Sequence, residues 1–158
     1  SVKIATPSTA NGPMTLVVDA SVAVKWLVRE HDTDAARQLF ALPDPLIAPD
    51  WLIVEAANTF WRKVKAAELA EGNAKQNLND LPEFFSRLYP SPGLVSGALA
   101  IAFHVRHPVY DCLYIELARQ MGCRMVTADK ELLKRVAGSE YADLVVDLGI
   151  YEMPESPT

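Results

Sequence analysis

Short apolar runs alternate with amphipathic stretches along the chain. Leu16, Val17 and Val18 form the first run, read as a strand over 15–19 that ends on Asp19. From there Val22, Val24, Trp26, Leu27 and Val28 suit a short buried helix, with Ser21 as its cap. The spacing predicts further helices over 33–42, 50–67, 94–106, 111–121 and 130–137, and strands over 46–48, 123–127 and 144–147. Asp50 is the expected N-cap of the longest helix, Gly122 the stop of a strongly amphipathic one. The stretch 72–89 also reads as helical, with Leu78, Leu81, Phe84, Phe85 and Leu88 on one side and Pro82 dividing it. Alternation of this kind predicts an α/β domain with a short, mostly parallel sheet flanked by helices.

Against that pattern, four acids stand out. Asp19 closes a fully apolar strand, and Glu55 lies inside the apolar stretch 51–57. Asp111 opens a helical pattern, and Asp129 follows the strand at 123–127. Taken singly, Asp111 and Asp129 read as helix caps, where the helix dipole favours a carboxylate. A carboxylate at the end of a buried strand, however, must be solvated, paired or bound to a cation. Asp19 and Asp129 both follow strand ends, where open α/β sheets place their ligand sites. Four convergent carboxylates would repel one another unless a divalent ion neutralised them, and oxygen donors suit Mg²⁺ or Mn²⁺. Asn58 and Arg62 follow Glu55 on the same helix face, as candidates to orient a carboxylate and to touch a phosphate. Ser21 and Thr127 each stand two residues from an acid and are candidate supporting hydroxyls.

Composition narrows the chemistry. A length of 158 residues suits one domain with a sizeable core. No apolar run reaches the roughly 18 residues that cross a bilayer, so no membrane role is expected. Two isolated cysteines, Cys112 and Cys123, suit a reduced cytoplasmic protein, and without a Cys/His cluster zinc is disfavoured. His104 and His107 are three apart, but Pro108 is expected to end their helix, and no third ligand accompanies them. A net charge of −5 excludes general affinity for nucleic acid while leaving room for a local basic rim. Its candidates are Lys25, Arg62, Lys63, Lys65, Arg106, Lys130 and Lys134, with Lys25 and Arg62 preferred as phosphate contacts. Residues 1–13 are expected to form a flexible extension, with Met14 the natural start; the domain spans 14–150 and the tail 151–158 is expected to fray.

The motifs also carry a resemblance. The run from Val17 to Leu27 resembles the opening of PIN-domain proteins, especially VapC-type toxins of bacterial toxin–antitoxin pairs. Pro49 to Glu55 with Asn58 is similar to that family's second motif, and Val109 to Tyr114 with Glu116 to Ala118 to its third. Val126 to Asp129 with Leu132 is similar to the fourth. The resemblance implies a PIN-like three-layer sandwich and a metal-dependent endoribonuclease. Asp19, Glu55, Asp111 and Asp129 fall on its acidic positions, for Mg²⁺ or Mn²⁺, with Ser21, Asn58 and Thr127 in support. It further implies an RNA substrate, a cognate antitoxin covering the cleft, and a homodimer, for which 52–60 and 94–103 are candidate faces. No histidine is placed as an obvious general base, so metal-activated water is the simplest nucleophile. Asp147, at the last strand's end, is not expected to be a ligand. A haloacid-dehalogenase-type phosphatase would want a second Asp where Ser21 stands, and a receiver-like module an acidic pair and a late lysine. An inactive PIN-like binding module is the remaining alternative.

Overall fold

In a computed structural model, which describes residues 15–151, five strands form one wholly parallel sheet with helices packed around it. The expected extension over 1–13, Met14 and the tail from residue 152 lie outside the described residues. The strands are β1 (Leu16–Val18), β2 (Leu46–Pro49), β3 (Arg87–Tyr89), β4 (Arg124–Thr127) and β5 (Val145–Asp147), in the order β3-β2-β1-β4-β5. The helices are α1 (Ala20–Leu27), α2 (Thr33–Gln38), α3 (Trp51–Lys65), α4 (Glu71–Asp80), α5 (Val95–Val105), α6 (Val109–Met121) and α7 (Lys130–Val136). Central strands buried on both faces need continuous apolar runs, which Leu16-Val17-Val18 and Met125-Val126 supply.

The strand order positions the site. The chain runs outward from β1 through β2 to β3, then returns to the other side of β1 with β4. The switch point therefore lies between β1 and β4, and a crevice opens there beyond their carboxyl ends. Val18 pairs with Val126, so Asp19 and Thr127 emerge side by side.

Several sequence expectations change. The stretch 72–89 is not one divided helix: α4 ends at Asp80, a 3₁₀ turn carries Leu81–Phe84, and β3 follows as a parallel partner of β2. Pro82 removes an amide that a continuing helix needs, and a three-residue edge strand is too short to show alternation. Ser21 does not cap α1; Asp19 does, accepting from the Val22 amide. Asp50 occupies the N-cap position of α3 without capping it, because its carboxylate accepts from the Ser91 amide and hydroxyl at 3.0 and 2.5 Å.

Helix α6 is buried from Cys112 to Ala118 rather than two-faced, packed between α5 and strands β1, β2 and β4. It brings Glu116 inside, where Arg119 grips both carboxylate oxygens at 2.7 Å and Gln120 adds a third bond at 2.9 Å. Gly97 of α5 makes room for this carboxylate: a Cβ there would lie 2.2–2.7 Å from it. Gly97→Ala is therefore expected to destabilise the fold by about 1–3 kcal/mol, although alanine is the better helix former. A urea denaturation series checks this, and an unchanged midpoint would contradict the contact.

Candidate active site

Asp19 is held from three directions. Ser21 donates to Oδ1 at 2.6 Å, the Val22 amide donates to the same oxygen at 3.2 Å, and the Thr127 hydroxyl donates to Oδ2. Both hydroxyls also bind backbone just past β4, Ser21 accepting from the Ala128 amide at 2.9 Å and Thr127 from the Asp129 amide at 3.1 Å. Asp129 caps α7 through the Glu131 and Leu132 amides, so its helix-cap role is real. It also lines the same cavity of about 270 Å³ as Asp19, Glu55 and Asp111. Asp111, in the first turn of α6, pairs with the His107 ring at 2.5 Å through Oδ2. The fold thus brings all four acids to one crevice.

Burial sets their electrostatics. Asp19 is only 3% exposed, which pushes its carboxyl up to about 7 against the lowering by Ser21, Thr127 and Val22; the Asp111 charge adds to the rise. Burial, then Asp111 and Asp19, push Glu55 up to about 8, while Trp51 and Tyr114 oppose the rise. Asp111 is raised by burial and by Asp129, with His107 pulling the other way. Glu55 Oε1, Trp51 Nε1 and the Tyr114 hydroxyl are all buried, and none has a partner at full hydrogen-bond geometry. Trp51 and Tyr114 lie close enough to lower Glu55 yet meet it only at loose geometry, so its carboxylate is incompletely satisfied and would suit a cation. Burial also pushes the Cys112 and Cys123 thiols up to about 12 and about 11, which removes both as nucleophiles.

The PIN domain family model matches residues 16–139, most of the chain and a span that contains the four acids. The chain is a PIN domain. Ribonuclease VapC3 of Pyrobaculum aerophilum is 31% identical to it over 124 residues, 77% of this chain and 95% of that protein. Ribonuclease VapC1 of Mycobacterium tuberculosis is 33% identical over 119 residues, 73% of this chain and 86% of that protein. In fold, the crystal structure of PAE2754 from Pyrobaculum aerophilum matches with a TM-score of 0.63 and 21% identity, over 94% of this chain and 93% of that one. Membership of this family sets aside the phosphatase and receiver-like readings.

The PIN domain's donor set fits a divalent metal: carboxylate oxygens converge, Glu55 is only loosely met by Trp51 and Tyr114, and mutual repulsion contributes to raising Asp19, Glu55 and Asp111. Among the described residues, His107, Asp111 and Asp129 are the group whose donor atoms lie within 4.8 Å of one another, with Asp19 and Glu55 facing the same cavity. His107 was missed in the sequence because Pro108 reads as a helix break. Pro108 does separate two helices, but it is the N-cap residue of α6, and the residue before it folds back onto Asp111. The i, i+4 spacing of His107 and Asp111 was the available signal.

The other candidates take varied places. Arg62 lines the acidic cavity but donates to the Thr59 hydroxyl rather than pairing with Glu55. Asn58 lines the adjoining cavity instead. Lys25 is buried and committed to Glu30 at 3.1 Å and the His31 carbonyl at 2.7 Å, while Lys63 holds the other Glu30 oxygen at 2.9 Å. Lys130 pairs with Asp147 at 2.6 Å, which occupies that last acid away from the crevice.

Proposed function

We propose that this PIN domain is an endoribonuclease, the toxin of a toxin–antitoxin pair, whose Asp19, Glu55, Asp111 and Asp129 hold Mg²⁺ or Mn²⁺ in the cut of an RNA phosphodiester. The convergence of four carboxylates at the sheet's switch point, with Asp19, Glu55 and Asp111 raised by burial, carries this reading. The names of the relatives, ribonucleases all, support it. A divalent ion at such a site supplies Lewis-acid stabilisation of phosphoryl charge and acidifies water. The residues supply the rest. Ser21 and Thr127 fix Asp19 in one orientation, His107 fixes Asp111, and Arg62 offers a guanidinium at the rim. Lys25 acts through Glu30 on the cavity wall.

A cognate antitoxin fits the same crevice, its basic side chain entering among the acids. A homodimer fits α5, where Val95, Leu99 and Phe103 stand exposed at four-residue spacing. No helix of the described residues is long and apolar enough to cross a membrane, and both cysteines are free and buried, which suits a cytoplasmic setting.

The test is RNA cleavage by purified protein with Mg²⁺ or Mn²⁺ against EDTA, for wild type and Asp111→Asn, on a panel including tRNA and ribosomal RNA fragments. Cleavage that needs metal and disappears in the variant is expected. Cleavage persisting in EDTA or in Asp111→Asn would sink the carboxylate–metal reading, and no cleavage by wild type would return weight to an inactive binding module.

A further inference from the structure

The acidic cavity has a neighbour that the carboxylate chemistry does not use. A second cavity of about 520 Å³ shares Glu55, Asp111 and Arg62 with the first and continues past them to Trp51, Asn58 and Tyr110. Its wall is built from two rings on different helices. Trp51 opens α3, Tyr110 lies in the first turn of α6, and their rings are stacked at 5.0 Å and 11°. Trp51 is partly buried against the core, whereas Tyr110 stays 58% exposed. Tyr110 is thus backed on one face by an indole packed against the core, while more than half of the residue stays exposed. A stacked aromatic pair at a cleft rim, one residue from a candidate ligand acid, costs apolar exposure that folding does not require. The net charge of −5 makes the need sharper: phosphate contacts alone give such a chain little hold on RNA, while stacking on a base is indifferent to charge.

We infer that Tyr110, braced by Trp51, is a stacking platform for a nucleobase next to the scissile phosphate, with the Asn58 amide placed to read that base's edge. The inference rests on the ribonuclease reading and adds to it a residue that selects substrate. A base inside a helix has both faces covered, so Tyr110 accepts only a nucleotide that is unpaired and can be splayed out. The cut then falls beside an unpaired base.

The test uses a short single-stranded oligoribonucleotide carrying 2-aminopurine, titrated by fluorescence with Ca²⁺ in place of Mg²⁺, alongside cleavage of a tRNA pool in Mg²⁺. Tyr110→Ala is expected to weaken binding by roughly 5- to 100-fold, the value of one base stack, and to raise KM far more than it lowers kcat. Tyr110→Phe keeps the ring and retains most of the affinity. Tyr110→Leu keeps apolar contact with Trp51 but has no π face, and falls with Tyr110→Ala. The wild-type to Tyr110→Ala ratio stays constant as salt rises, whereas Arg62→Ala loses its effect. Thermal melts matching the wild type show that the variants are folded. Binding by Tyr110→Ala or Tyr110→Leu equal to wild type, with cleavage intact, overturns the platform and leaves the ribonuclease reading standing. Ring-dependent binding without any cleavage supports the platform and sinks the ribonuclease. Absence of both binding and cleavage in wild type overturns the two together.

Discussion

Asp19→Asn is expected to abolish RNA cleavage while leaving the metal-free protein at least as stable as wild type. The two effects separate because the carboxylate's charge serves the site and opposes the fold. Asp19 is buried, and both its burial and Asp111 disfavour ionisation. An amide removes that charge and keeps the bonds: its oxygen accepts from the Val22 amide and the Ser21 hydroxyl, while the Thr127 hydroxyl rotates to accept from its nitrogen. Losing one ligand from a metal-assisted reaction costs several kcal/mol of transition-state stabilisation, roughly 10³-fold or more in rate. Initial cleavage rates and thermal melts, each with Mg²⁺ and with EDTA, check both halves. In EDTA the variant is expected to melt at or above wild type, and the upward shift that Mg²⁺ gives the wild type disappears. A variant that cleaves at the wild-type rate, or one that melts well below wild type in EDTA, contradicts the assignment of Asp19.

Between about pH 5 and pH 8 the metal-free protein is expected to lose stability as pH rises, and a divalent metal to restore it. The sign follows from the direction of the shifts. Asp19 moves from its ordinary 3.8 up to about 7, and Glu55 from 4.5 up to about 8. Across that window the unfolded chain has released these protons and the folded chain still holds them, so each step upward favours unfolding. The linkage at Asp19 alone is on the order of 4 kcal/mol. Glu55 and Asp111 share the same field, so the acids titrate as a group and the total is less than a sum of separate sites. Below about pH 5 the slope reverses, because Glu30, Glu116 and Asp147 are lowered by their cationic partners and lose that support when protonated. Mg²⁺ or Mn²⁺ binds the ionised carboxylates, so its stabilisation should grow from about pH 5 to about pH 8. Melting temperatures across this range with and without metal are the measurement. Stability in EDTA that is flat or rising over the window would contradict a crevice of uncompensated carboxylates.

Particular residues show why some of this was readable and some was not. Asp19 and Glu55 were legible because each interrupts an apolar pattern that burial would otherwise continue, and the structure brings both to the crevice. Ser21 and Thr127 were legible as hydroxyls near acids, yet their work crosses the sheet: Ser21 supports Asp19 while accepting the Ala128 amide past β4, and Thr127 reaches from the end of β4 to Asp19 while accepting the Asp129 amide. Lys25 looked free because a sequence does not display Glu30 or the His31 carbonyl at its ammonium. β3 was hidden because Arg87–Tyr89 is only three residues long and follows a proline turn within an apolar stretch of helical spacing.

The sequence by itself determined the elements around the site and the acids at their ends. Local period, burial and capping decide those, and all act within a few residues. Only the tertiary structure decided which acids meet and that Trp51 and Tyr110 form one wall. These follow from the strand order β3-β2-β1-β4-β5 and from helices packed across it, where residues some sixty or a hundred positions apart become neighbours. No local pattern encodes that proximity, because it is set by how the whole sheet is wound.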